Sequence, residues 1–186
     1  MRSSGKRATR KTSHVNFAAA FLIAACGGGG SATAPPPGAA THPSLQGPIT
    51  YSFDSLDERA VSSKALGGRP TVLAFVTSYD LESQAQVDYI ATMAKHDADR
   101  VNYAIIALER PENRELVEAF RHFVADKFGV SLITAMADPA TIAGGGPFGD
   151  VHVVPTVVIL DRQGKVRWQR TGLVKSDDIR AGMSGL

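Results

Sequence analysis

Val153-Val154-Pro155-Thr156-Val157-Val158-Ile159-Leu160-Asp161-Arg162-Gln163-Gly164-Lys165-Val166-Arg167-Trp168-Gln169-Arg170 carries two β-forming runs around a polar turn. Thr156 to Leu160 and Val166 to Arg170 flank Asp161-Arg162-Gln163-Gly164-Lys165, a composition that signals a hairpin. A short helix is expected from about Ser176. The segment therefore predicts a β-hairpin followed by a terminal helix.

Upstream, Thr71-Val72-Leu73-Ala74-Phe75-Val76 is a continuous apolar run of β-formers, as expected of a strand buried on both faces. From Glu82 to about Asp97, Val87, Ile90, Ala91 and Ala94 recur at i, i+3, i+4 and i+7, one face of a helix. Tyr103 to Leu108 is a second buried strand. Glu112 to Phe128 is a second helix, with Leu116, Phe120, Phe123 and Val124 expected on one side. A strand-helix-strand-helix series implies a parallel sheet with covered faces. Residues 48 to 186 are enough for one domain with a single core.

A βαβα unit followed by a hairpin and a terminal helix is the element order of the thioredoxin fold, so the expectation is α/β, a central mixed sheet flanked by helices. Phe53-Asp54-Ser55-Leu56-Asp57 through Val61, then Leu66-Gly67-Gly68-Arg69-Pro70-Thr71-Val72-Leu73-Ala74-Phe75, resembles the opening of TlpA-type and redoxin domains of bacterial envelopes. Val153-Val154-Pro155-Thr156 and the run to Gly164 is similar to that family's second signature. There the resemblance implies a cis proline facing the active site. Gly172 also stands where the family has a glycine. The resemblance covers essentially residues 50 to 186.

One stretch departs from the family. After Phe75 the resemblance implies an aromatic residue and a Cys-x-x-Cys pair opening the next helix, but this chain has Thr77-Ser78-Tyr79-Asp80-Leu81-Glu82-Ser83-Gln84. Tyr79 keeps the aromatic position, Asp80 falls on the nucleophilic cysteine and Ser83 on the resolving one. A thiolate at a helix N-terminus has a depressed pKa and attacks a disulfide through a mixed disulfide. Neither a carboxylate nor a hydroxyl replaces sulfur in that exchange. Asp80 is instead placed to accept the N–H of Glu82 or Ser83, a helix cap worth about 1 kcal/mol.

Other chemistry finds little support. In copper-binding Sco-type relatives a histidine joins two cysteines, and here only His96, His122 and His152 lie in the domain. A lone histidine is more often structural, so a metal site of His152 with Asp80 is weighed and set aside, and no metal or cofactor is expected. A peroxidatic cysteine is missing, and no Gly-x-Ser-x-Gly elbow occurs. Gly27 to Gly30 and Gly144-Gly145-Gly146 lack the strand and Gly-Lys-Ser/Thr context of a phosphate loop.

What the resemblance leaves is a binding surface. In thioredoxin-like proteins the residue before the cis proline, here Val154, pairs with an extended peptide by β-strand addition, which needs no thiol. The expected binding residues are Val154, Pro155 and Tyr79, and the expected partner is an envelope protein or extended peptide. Two alternatives stay open: a thiol-disulfide oxidoreductase or redoxin-type enzyme, and a spacer lipoprotein.

The N-terminus supplies the location. Arg2, Lys6, Arg7, Arg10 and Lys11 precede an apolar run from Phe17 that ends in Ile23-Ala24-Ala25-Cys26, with no acidic residue before it. This resembles a bacterial lipoprotein signal peptide over residues 1–25, with Cys26, the sole cysteine, as the lipidated residue. An apolar run of about ten residues is too short to span a bilayer, which takes roughly 20. Lipid on Cys26 would anchor the protein to a membrane. Gly27 in place of a retention aspartate favours the outer membrane over the inner, with the domain facing the periplasm. Residues 26–47, rich in Gly, Ala and Pro, are a tether.

Five of the 20 basic residues fall in the signal, which leaves 15 against 18 acidic ones, a net −3 with histidines neutral. No basic stripe marks a nucleic-acid partner.

Overall fold

A computed structural model describes residues 47–186 of the chain. The expected signal peptide, the lipidated Cys26 and the tether up to residue 46 lie outside the described residues.

The described chain forms strands β1 (Ser52–Ser55), β2 (Val61–Ser62) and β3 (Thr71–Val76), helix α1 (Leu81–Asp97) and strand β4 (Asn102–Ala107). A 3-10 turn (Pro111–Asn113) leads into α2 (Arg114–Phe128), followed by β5 (Ile133–Met136) and the one-turn α3 (Pro139–Ile142). The hairpin β6 (Thr156–Leu160) and β7 (Val166–Thr171) and helix α4 (Ser176–Gly182) complete it. The sheet order is β2-β1-β5-β4-β3-β6-β7. Strands β3, β4 and β5 are parallel, while β6 runs antiparallel to β3 and β1 antiparallel to β5. Two βαβ crossovers thus build the centre, and the antiparallel edges make the sheet mixed, as the sequence predicts.

Period-2 alternation divides β3 between two cores. Val72, Ala74 and Val76 face one cluster, where they meet Val87, Ile90 and Ala91 of α1, Val124 of α2 and Ile179 of α4. Leu73 and Phe75 face the other, with Tyr51, Phe53, Phe148 and Val151. Helices therefore cover one face, and the segment after α3 covers the other. That second face holds an aromatic group: the Phe148 ring lies 5.1 Å from Phe75, 5.3 Å from Tyr51 and 6.1 Å from Phe53. Aromatic pairs at these distances add about 0.5–1.5 kcal/mol each beyond area burial.

Three strands and one helix were not expected from the sequence: β1, β2, β5 and α3. The second helix is also phased differently. Its buried residues are Val117 and Val124, with Phe120 packed partly against the core, whereas Leu116 is 50% and Phe123 59% exposed. The α-helix starts at Arg114 after the 3-10 turn, and its inner face follows 117, 120 and 124; Leu116 and Phe123 sit about 100° away around the axis. Lys127 Nζ, 5.8 Å from the Phe123 ring centre, partly covers that side. Gly129, at φ +64, ends the helix by donating its N–H to the Ala125 carbonyl. Among the described residues no helix is long and apolar enough to cross a membrane.

Candidate functional site

The site lies where β3 ends and α1 begins. Thr77 and Ser78 are buried, and Tyr79 turns outward at 69% exposure. Asp80, with extended backbone at φ −89° and ψ 132°, caps α1: its Oδ2 accepts the Ser83 N–H at 2.7 Å. Hydrogen bonds from Ser83, the N–H first, hold the Asp80 carboxyl below the ordinary carboxylate range, and a lesser burial effect opposes them. The cap anticipated from the sequence is thus in place. Ser83 is fully buried, and its Oγ accepts the Thr77 N–H at 3.2 Å. Both positions that the resemblance aligns with cysteines serve here as hydrogen-bonding ties: Asp80 caps α1, and Ser83 joins it to the end of β3.

Two further side chains fix this turn, and sequence reasoning missed both partners. Gln84 Nε2 donates to the Ser78 carbonyl at 2.9 Å, and the Ser78 N–H donates to Glu109 Oε1 at 2.6 Å. Glu109 stands just beyond β4 with 3% of its surface exposed. Nothing local marks it, because a glutamate before Arg110-Pro111 reads as the start of a polar loop. Its burial follows from β4 lying beside β3, a tertiary fact.

Opposite this turn runs the proline segment. The Val154–Pro155 peptide bond is cis, as the resemblance implied. Phe75 pairs with Thr156 in the β3–β6 ladder, so the cis proline directly precedes β6 at the end of the sheet where β3 stops. The Pro155 carbonyl accepts the N–H of Gly172 at 2.7 Å, and Gly172 adopts φ +87, a conformation that suits glycine. Thr156 Oγ1 donates to the Val153 carbonyl at 2.6 Å. The main-chain N–H and C=O of Val154 have no partner among the described residues. Val153 is 62% exposed, and Leu81 and Leu173 are also exposed large apolar residues.

The histidines do not converge here. His96 and His122 are exposed on α1 and α2. His152 is exposed and pairs with Asp150, Nδ1 to Oδ1 at 2.7 Å, while its own N–H donates to the same oxygen at 2.9 Å. Its ring packs on Gly144, where a Cβ would lie 2.4 Å from Cε1. The histidine weighed as a partner of Asp80 is thus joined to Asp150. No group of three His, Cys, Asp or Glu residues suited to a metal occurs among the described residues.

Solved structures resemble this architecture. A DsbF homologue from Corynebacterium diphtheriae superposes with a TM-score of 0.61 at 17% identity, over 75% of this chain and 86% of that one. StoA from Bacillus subtilis matches with 0.57 at 16% identity, over 74% and 98%. A secreted Mycobacterium tuberculosis disulfide oxidoreductase homologous to Escherichia coli DsbE matches with 0.56 at 16% identity, over 73% and 96%. The fold is thioredoxin-like. No protein family model matches the chain, and no curated protein is similar to it in sequence.

In this thioredoxin-like frame, Asp80 and Ser83 occupy the mouth of the site as cap and tie. The described residues contain no sulfur nucleophile, since the sole cysteine of the chain is Cys26. What the arrangement offers is an exposed aromatic ring, Tyr79, just before α1 and, on the cis proline segment, the unpaired main chain of Val154.

Proposed function

We propose that this chain is a thioredoxin-like binding module of the bacterial cell envelope, anchored through lipid on Cys26, which holds an extended segment of a partner protein without chemical turnover. The carrying observation is the unpaired main chain of Val154, next to the exposed side chain of Val153, in a fold whose α1 is preceded by the exposed Tyr79. An extended peptide laid along Val154 gains main-chain hydrogen bonds, and apolar neighbours select its alternate side chains. The secreted disulfide oxidoreductase among the similar structures is consistent with an envelope location.

A photo-crosslinking amino acid at Val154 of the full-length protein, expressed in cells, tests this. One reproducible adduct, lost when Tyr79→Ala is added, is the expected result. No adduct would remove the basis of the reading and favour a spacer lipoprotein.

The second reading, a thiol-disulfide oxidoreductase, draws on the activity named for the similar structures. Its one available thiol is Cys26. Reduction of insulin disulfides by the wild type that disappears in Cys26→Ser would establish it. Activity surviving that substitution would overturn both readings, because that variant contains no sulfur nucleophile.

A further inference from the structure

A cavity of about 410 Å³ opens beside the site, at the carboxyl ends of β4 and β5. Phe53, Pro111, Met136 and Pro139 give it apolar walls, and Asp54, Asp138, Arg114 and Glu109 supply charge. Three of those four are committed. Arg114 donates to Asp54 at 2.6 Å, to Glu118 at 3.2 Å and to the Ser55 carbonyl at 3.1 Å. Asp138 caps α3, taking the Ala140 and Thr141 N–H groups on Oδ1 and the Thr141 hydroxyl on Oδ2.

Glu109 is the exception. Its Oε1 takes the Ser78 N–H, and its Oε2 is buried with no hydrogen-bond partner. Leaving a buried acceptor unpaired is costly, and more so for a charged group. Such a group in a folded protein calls for a missing donor. A cation with a short apolar body supplies such a donor and suits a cavity whose walls are partly apolar and whose carboxylates outnumber its one arginine.

We infer that this cavity binds a primary alkylammonium group, with Glu109 as its counter-charge and the Phe53, Met136 and Pro139 walls around its methylenes. A carboxylate turns easily about its terminal bond, a broad torsion, so one oxygen comes to face the cavity while the other keeps Ser78. Binding is therefore felt at the Ser78 N–H, one residue from Tyr79. The same chemistry is offered by a free alkylamine and by a lysine side chain. The inference does not depend on peptide binding at Val154.

The test is an NMR titration of the full-length protein with n-pentylammonium, n-pentanol and Nα-acetyl-lysine amide, following the Ser78 amide resonance. Saturable shifts with pentylammonium, at least about tenfold weaker in Glu109→Gln, are expected, with pentanol leaving the resonance in place. Glutamine keeps an acceptor for Ser78, so the turn is retained. Ser52→Trp, at an exposed cavity-lining position, should block the shifts with Glu109 intact. Binding by acetyl-lysine amide as tight as by pentylammonium assigns the site to lysine side chains, and weaker binding assigns it to free amines. Equal binding of pentanol, or shifts that persist in both variants, would overturn the inference.

Discussion

Gln86 and Val174, 88 residues apart in sequence, exchange two hydrogen bonds: the Gln86 amide donates to the Val174 carbonyl at 3.1 Å and accepts its N–H at 2.7 Å. Both residues are buried, so one side chain on α1 satisfies the backbone where the chain leaves β7. Gln86→Leu strands a donor and an acceptor together. The expected loss is about 2–6 kcal/mol, from a penalty near 1–3 kcal/mol for each of the two buried groups, read as a lower denaturant midpoint.

The Asp80 cap has a pH signature. Its folded carboxyl lies below the ordinary value, so its stabilisation is complete above the unfolded pKa near 4 and is lost as pH falls through the lowered folded value. Asp80→Ala should be about 1 kcal/mol less stable at pH 7. The gap to wild type should narrow as the pH falls below about 4. Asp57 and Asp138 shift in the same direction, in each case because hydrogen bonds overcome burial, so the wild-type-minus-variant difference is the quantity to plot.

Placing sulfur at this turn tests what it can support. Asp80→Cys combined with Ser83→Cys, in a Cys26→Ser background, places two thiols at the N-terminus of α1, where a thiolate is stabilised. Insulin reduction should appear in this variant and be absent from Cys26→Ser alone. Stability should fall by about 1 kcal/mol with loss of the cap.

The phase of α2 predicts opposite outcomes for adjacent residues. Leu116→Ser and Phe123→Ser, at exposed positions, should each change stability by less than about 0.5 kcal/mol. Val117→Ala, at a residue packed with Leu56, Ala107 and Met136, should cost about 2 kcal/mol. Urea melts of the three variants check this.

Phe148→Ala removes the ring that meets Tyr51, Phe53 and Phe75. A loss of about 3–5 kcal/mol in thermal or chemical unfolding is expected.

The sequence declares the centre of this sheet well. After a polar first residue, β3, β4 and β6 are unbroken apolar runs of four or five residues, because strands buried on both faces need no polar alternation. β1, β2 and β5 span two to four residues, too few for any period to show, and their pairing comes from neighbouring strands. Leu116 and Phe123 misled because apolar residues on two adjacent helix faces allow two phases, and only packing against Leu56 and Met136 selects the one through Val117. At the site, the Asp80 cap was legible as local chemistry, and the cis proline was implied by the resemblance. Glu109 and Gln86 were not, since a polar side chain becomes buried through a partner distant in the chain.

The ring that roofs the aromatic core and the backbone offered to a partner belong to one short stretch: Phe148 seals the second face, and Val154 follows six residues later. Between them only Val151 is fully inserted, while Gly149 and His152 lie at the surface. A pull on Val154 is therefore carried on one side through Pro155 into β6 and on the other along a short run of chain to the Phe148 ring. Tension from a captured partner would load the interior directly, making the grip and the integrity of the domain mechanically continuous.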